Sequence, residues 1–325
     1  VSVVLVLQAR GLGELLTAVP ALRALRRARR NDHLVLATPH RLRPMVELIA
    51  LVDEMVPIAD PQGLRWDGPP PKLAINLHGA EATPIVELAK TGAERILTYR
   101  NPAFPEIPGP DWHDDRHPID RWCHLLEFDG IGADRRNLGL VPPVATTSHR
   151  DSVVVHVGAG ATARQWPADR FAAVIRHLLV LGHEVVLTGN EGDRERAHGI
   201  ADRAGLAGQR VLAGNQNLIE LSATVAEASV LLCGDTGVAH LATAFGTRTV
   251  QLFGPTSPAQ SGPPGHLLNR HEVLWAGRTG DREGTTPDPG LLQIGAAEVI
   301  AALDRQLSKR RSEAGVTSAA YRRVG

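Results

Sequence analysis

Apolar residues in this chain come in short unbroken runs, separated by stretches in which they recur every three or four positions. The runs at 3–7, 34–37, 55–58, 73–77 and 95–98 read as strands covered on both faces, with helical patterns filling several of the gaps. In the first gap Leu15, Val19, Leu22 and Leu25 fall at steps of four, three and three, so one stripe faces a core while the neighbouring arginines face water. Pro20 interrupts that pattern, which predicts a kink or a loop as far as about Ala18. Strand–helix alternation of this kind builds parallel sheets.

Residues 99–118 are dense in Pro, Asp and His and read as a long surface loop, and 120–128 as a helix. The stretch 139–150, with Pro142, Pro143 and the run Thr146-Thr147-Ser148-His149, reads as an interdomain linker. The alternation then restarts. Strands are expected at 153–157, 184–187, 210–212, 230–233 and 249–252, and helices at 169–181, 193–204, 218–227 and 238–245. A Gly-, Pro-, Asp- and Thr-rich stretch at 276–290 reads as mobile and precedes a last helix over about 295–309. Two such units in series predict an α/β chain of two facing Rossmann-like domains, 1–145 and 146–310, with a cleft between them and a flexible tail at 311–325. Ligands in these sheets sit beyond the carboxyl ends of the strands.

A chain of 325 residues is long enough for two domains, each with its own core. Lys plus Arg equals Asp plus Glu at 35 each, and the balance holds on both sides of residue 150, so nothing steers the protein toward nucleic acid. The one marked basic cluster, Arg23, Arg26, Arg27, Arg29 and Arg30, ends a predicted helix, where cations complement the helix dipole. Cys123 and Cys233 are far apart, and the second sits in a buried run, so neither a disulfide framework nor a metal cluster is indicated. A cytoplasmic location, peripheral to the inner membrane face, is the expectation. The first apolar run lacks the basic leader and the length of a signal or membrane segment and reads as a strand.

Chemistry concentrates where strands end. After Val230-Leu231-Leu232-Cys233, residues Gly234 to Gly237 turn the chain into a helix starting near Val238. Helix-initial amides carry partial positive charge; Asp235 and Thr236 are capping residues, Gly237 admits a ligand to the backbone, and His240 lies one turn inside. A diphosphate suits such a turn. The first strand ends in Gln8-Ala9-Arg10-Gly11-Leu12-Gly13-Glu14, a glycine turn placing Arg10 and Glu14 at a cleft edge. Glu14 is the candidate base for a sugar hydroxyl, or else it complements a helix N-terminus. Gly11 and Gly13 begin a dinucleotide fingerprint, but Leu16 replaces its third glycine and the second strand ends in Ala37-Thr38 without an acid, which disfavours a nicotinamide oxidoreductase.

The second half opens with His156-Val157-Gly158-Ala159-Gly160-Ala161-Thr162-Ala163-Arg164-Gln165-Trp166-Pro167. Its glycine loop can fold amides around phosphate, with Thr162 adding a hydroxyl, Arg164 a forked cation, and Pro167 expected in the first helical turn. Glu191, after Thr188-Gly189-Asn190, either accepts bonds from ribose hydroxyls or lies in the first turn of a helix. His78, after Ile75-Asn76-Leu77, points into the expected cleft or serves structure. No spacing of His, Asp or Cys makes a metal site.

Three motifs carry a resemblance: Gly11 through Arg23, Gly158 through Phe171, and Gly234 through His240 with Phe253-Gly254-Pro255-Thr256. Together they resemble glycosyltransferase family nine, the heptosyltransferases of lipopolysaccharide assembly and their relatives. The resemblance implies a GT-B type fold, a sugar nucleotide held mainly by the C-terminal domain, and inverting transfer without a metal or other cofactor. It places the family's aspartate base on Glu14, its diphosphate-binding residues on Asp235, Thr236, Gly237 and His240, and its phosphate-contacting lysine on Arg164. Glu for Asp and Arg for Lys are departures. Arg10, Gly13 and His78 are the candidates on the acceptor side. The implied partners are a nucleoside diphosphate sugar, ADP-heptose first, and a glycan or small-molecule acceptor, with no nucleic acid and no transmembrane segment. A noncatalytic nucleotide-sugar-binding module is the other reading.

Overall fold

The structure is a computed structural model that describes residues 2–144 and 148–321, with side chains as far as Glu313. It divides into two compact units, Val1–Leu140 and Val141–Gly325. The boundary expected between residues 145 and 146, and the threonines of the linker, lie outside the described residues.

The first unit runs β1 (Val3–Leu7), α1 (Leu12–Thr17), α2 (Val19–Ala28), β2 (His33–Pro39), α3 (Arg43–Ile49), β3 (Glu54–Ile58), β4 (Leu73–Asn76), α4 (Ala82–Lys90), β5 (Ile96–Leu97) and α5 (Pro118–Phe128). Its five strands are parallel in the order β3-β2-β1-β4-β5. The central strand β1 is solvent-free from Val4 to Leu7, which is why it reads as a continuous apolar run. Pro20 does break the first helix. Ala18 closes α1 and also caps α2, whose first turn holds Pro20, where a missing N–H costs nothing. Part of the arginine cluster is engaged by the fold: Arg23 donates to Asn137 and Gly139, Arg26 to Leu51 and Asp53, and Arg29 pairs with Asp32, while Arg27 and Arg30 are exposed.

The second unit continues with β6 (Val153–His156), α6 (Ala168–Val180), β7 (Val185–Thr188), α7 (Arg194–Ala204), α8 (Leu218–Ala226), β8 (Val230–Gly234), α9 (Gly237–Phe245), β9 (Thr249–Phe253), α10 (Pro258–Ser261), β10 (His271–Trp275) and α11 (Ala296–Tyr321). These strands are also parallel, in the order β10-β9-β8-β6-β7. Residues 210–212, expected as a strand, contribute one bridge, Val211 to Leu187, after a 3-10 turn at Gly208–Arg210. An edge strand, β10, replaces it in the sheet. The segment expected to be mobile is held: Ala163 N–H donates to Gly284 O at 3.0 Å and Asp288 N–H to Ala163 O at 3.0 Å. Helix α11 also runs to Tyr321, through most of the expected tail, with Glu313 bonded to Arg248.

One face of the second sheet is polar although buried. His156 Nδ1 lies 3.0 Å from Thr188 Oγ1, His271 Nδ1 lies 3.0 Å from Thr249 Oγ1, and Gln251 donates to Thr249 at 2.9 Å. Burial pushes both imidazoles down from 6.5 to about 4. The unfolded chain therefore takes up these protons as pH falls through 6.5 while the folded chain resists until about 4, so stability is lost across that window. The loss amounts to about 2 kcal/mol per imidazole by pH 4.5. Urea unfolding at pH 7.5 and 4.5 checks this: His271→Gln should decline less between the two pH values than the parent protein.

Candidate functional site

In each sheet the strand order reverses once, between β1 and β4 in the first unit and between β6 and β8 in the second. At such a reversal the following loops diverge to opposite faces and leave a crevice beyond the carboxyl ends of the strands.

In the first unit the crevice is lined from the loops after β1 and β4. Gly11 caps α1, and Glu14, in its first turn, is half-buried, its side chain making no hydrogen bond or ion pair among the described residues; its Oε2 sits 3.4 Å from where a Cβ on Gly11 would be. Arg10 is engaged, donating from Nε to His78 O at 2.7 Å and pairing with Glu81 at 3.0 Å. The His78 turn is rigid, since Asn76 accepts from His78 N–H at 3.0 Å and donates to Gly79 O and to Thr98. His78 Nδ1 accepts from Ala9 N–H at 3.3 Å, which leaves Nε2 to carry the proton. Burial, then Arg10, lowers its basicity, and the Glu14 and Glu81 charges oppose that in part. Gly13 is buried inside α1.

In the second unit the loops after β6 and β8 meet. Gly158 lies beneath Asp193: an added Cβ would fall 2.5 Å from Asp193 Oδ2 and 3.0 Å from His156 Nε2. Asp193 itself closes a capping box with Asn190 within the loop bearing Glu191, and its carboxylate packs against Gly158 at the start of the loop bearing Arg164. Thr162 opens the 3-10 turn Thr162–Arg164 and is exposed, as is Glu191. Arg164 folds back over Gly160, whose Cβ would sit 2.5 Å from Nη2, and its Nη1 reaches Asp235 O at 3.4 Å and Nη2 Glu283 at 3.6 Å. Trp166 anchors this loop from below: it is buried, donates to Ile294 O at 2.9 Å and packs edge-on against Phe171. Pro167 is the N-cap of α6, one residue before the first turn.

Thr236 caps α9 in extended conformation without a side-chain capping bond, so the helix-initial amides are served by no side chain there. Asp235 is 7% exposed; Oδ1 accepts from Ser261 at 3.0 Å and Oδ2 has no partner. Gly237 begins α9 and His240 is half-buried one turn on. Arg164, Asp235, Thr236 and Gly237 thus share one turn region, whereas Thr162 and Glu191 lie on its flanking loops. Glu81, Asp193, Ser261 and Glu283 were not singled out from the sequence. Only Asp193 had a local signal, the Asn190-to-Asp193 capping spacing. Among the described residues no group of three or more His, Cys, Asp or Glu side chains is arranged for a metal, and no helix is long and apolar enough to cross a membrane. Cys123 and Cys233 are free and buried, and burial pushes both thiols up, Cys123 to about 12.

Two doubly wound parallel domains with their polar residues at the strand-order reversals define a GT-B type α/β protein. Solved structures share this fold: the glycosyl transferase family 9 protein of Veillonella parvula superposes with a TM-score of 0.78 over 95% of this chain and 98% of its own, at 22% identity. The ADP-heptose lps heptosyltransferase II of E. coli gives 0.76 over 95% and 99%, at 19% identity. Residues 132–282 match the model of glycosyltransferase family 9 (heptosyltransferase). Lipopolysaccharide heptosyltransferase 3 of Escherichia coli is 34% identical over 220 residues, which are 57% of this chain and 63% of that relative, so the match spans less than two thirds of the relative's length. Through this match and these relatives the chain is similar to glycosyltransferase family 9.

The contact beneath Gly158 makes a steric test of the second crevice. Gly158→Ala forces Asp193 aside, at about 1–3 kcal/mol for overpacking, and should lower the urea midpoint of unfolding accordingly. Gly265→Ala, where a Cβ meets open space, should leave the midpoint unchanged.

Proposed function

We propose that the protein is an inverting, metal-independent glycosyltransferase that moves a sugar from a nucleoside diphosphate sugar to an acceptor hydroxyl. The observation that carries this reading is the turn opening α9, where uncapped helix-initial amides lie beside the Arg164 guanidinium at the strand-order reversal. Such a turn offsets the charge of a departing diphosphate. ADP-heptose is the donor of choice, supported by the names of the family-nine relatives, which are heptosyltransferases. The acceptor is an envelope glycan or a small natural product. A cytoplasmic site of action, peripheral to the inner membrane face, accords with a nucleotide-sugar donor.

In the proposed reaction the acceptor oxygen attacks the anomeric carbon and gives its proton to the Glu14 carboxylate. The bond from that carbon to the diphosphate oxygen breaks, and the nucleoside diphosphate leaves with the electron pair, inverting the anomeric centre. Glu14 suits the task because its half-buried carboxylate has no partner to give up. Amides at Thr236 and Gly237, the Arg164 fork and, if protonated, His240 would stabilise the leaving group, with Thr162 and Glu191 on the phosphate and ribose flanks. Arg10, Gly13 and His78 would border the acceptor. The first unit is then the acceptor domain and the second the donor domain.

Glu14→Gln, nearly isosteric, should lose turnover with ADP-heptose by at least about 100-fold while ADP affinity stays within about twofold. Unchanged turnover removes Glu14 from the mechanism. ADP binding without transfer to any acceptor would favour a noncatalytic nucleotide-sugar-binding module, and tight NADH binding an oxidoreductase.

A further inference from the structure

Beyond β9 the chain passes through Gly254, Pro255 and Thr256 into the single turn of α10, which ends at Ser261. Its position is fixed by a close backbone approach. Gly262 N–H donates to Pro258 O at 2.7 Å, and a Cβ on Gly262 would lie 2.5 Å from that oxygen. The turn delivers the Ser261 hydroxyl to Asp235 Oδ1 at 3.0 Å. Among the described residues three buried side-chain atoms on the loops after β6, β8 and β9 lack partners: Arg164 Nε, Asp235 Oδ2 and Thr256 Oγ1. Buried polar groups are nearly always hydrogen-bonded, so these three call for an explanation in function.

The chemistry of Asp235 narrows that function. A carboxylate oxygen accepts hydrogen bonds and repels phosphate, so the partner for Oδ2 is a hydroxyl or an N–H. Among the described residues none bonds this atom, and a ligand seated on the adjoining Thr236–Gly237 turn is the group that would supply such a donor. On a nucleoside diphosphate sugar, the groups beyond the phosphates that fit are the hydroxyls of the sugar. Which carboxylate oxygen is available is set by Ser261, because its hydrogen bond commits Oδ1 and fixes the plane of the group.

We infer that Ser261 is a positioning residue: it holds Asp235 with Oδ1 engaged and Oδ2 reserved for a donor sugar hydroxyl, and thereby favours the sugar nucleotide over the free nucleoside diphosphate. The inference rests on the donor site proposed above. Calorimetric titration of the full chain with ADP and with ADP-heptose tests it on Ser261→Ala and Ser261→Thr. Ser261→Ala should weaken ADP-heptose binding about 3- to 15-fold and leave ADP binding within about twofold, and Ser261→Thr should restore the parent values. Equal weakening of both ligands, or of neither, overturns the role of Ser261 while the donor site stands. A parent protein that binds neither ligand overturns the donor reading and this role with it.

Discussion

The reversal of strand order in each sheet is the constraint on which the rest of this structure depends. Parallel strands need crossover connections, and the crossovers here include helices laid over buried strands. Where winding changes direction, two successive carboxyl-end loops have no helix packed between them, and backbone groups and short polar side chains gather there without having to be buried by neighbours. Glu14, Arg10 and His78 follow from that geometry in the first unit, and Arg164 and Asp235 in the second. Residues 150 positions apart in sequence thus occupy equivalent topological places, although nothing in their local sequences is shared beyond glycine.

Close backbone approach sets the second unit's loops more firmly than hydrogen bonds alone. Gly158 and Gly189 both lie against Asp193, and Gly160 lies under the Arg164 guanidinium, so each glycine marks a place where a side chain from another loop occupies the space of a Cβ. The cost of building such a site appears in the buried sheet beneath it. His156 bonds Thr188, and Thr249 is shared by His271 and Gln251, at the expense of imidazoles that cannot be protonated without loss.

Strands covered on both faces were legible because their apolar runs are unbroken, as in β1, β6 and β8. The edge strand β10 was not, since His271, Glu272 and Trp275 dilute its pattern and the neighbouring helix α11 supplies the missing cover. Residues 210–212 failed in the opposite sense: Val211 and Leu212 are apolar, but a 3-10 turn leaves room for one bridge only. The 276–290 stretch misled because its composition is that of a loop while its backbone is bonded to Ala163, a contact between segments more than 100 positions apart that no local pattern records. For the same reason the turn residues of the candidate site were readable and their supports, Glu81, Ser261 and Glu283, were not.

The two departures that the resemblance implies, at Glu14 and Arg164, have a common geometric sense. Glu14 is one methylene longer than the aspartate the resemblance would place there, and its carboxylate folds back toward Gly11, so the extra length is used along the helix start and need not carry the acid farther out. Arg164 falls where the resemblance implies a lysine, whose ammonium is a compact point charge. The planar guanidinium instead spans Gly160, Asp235 O and Glu283 at once. It comes preordered at the Thr236–Gly237 turn, and the Glu283 carboxylate, 76% exposed, is a partner that an arriving phosphate can displace at little cost. Under the proposed roles, each residue therefore keeps the sign of charge its own site calls for while shifting its placement, which makes acceptor geometry, more than donor charge, the property in which this chain is expected to differ from its relatives.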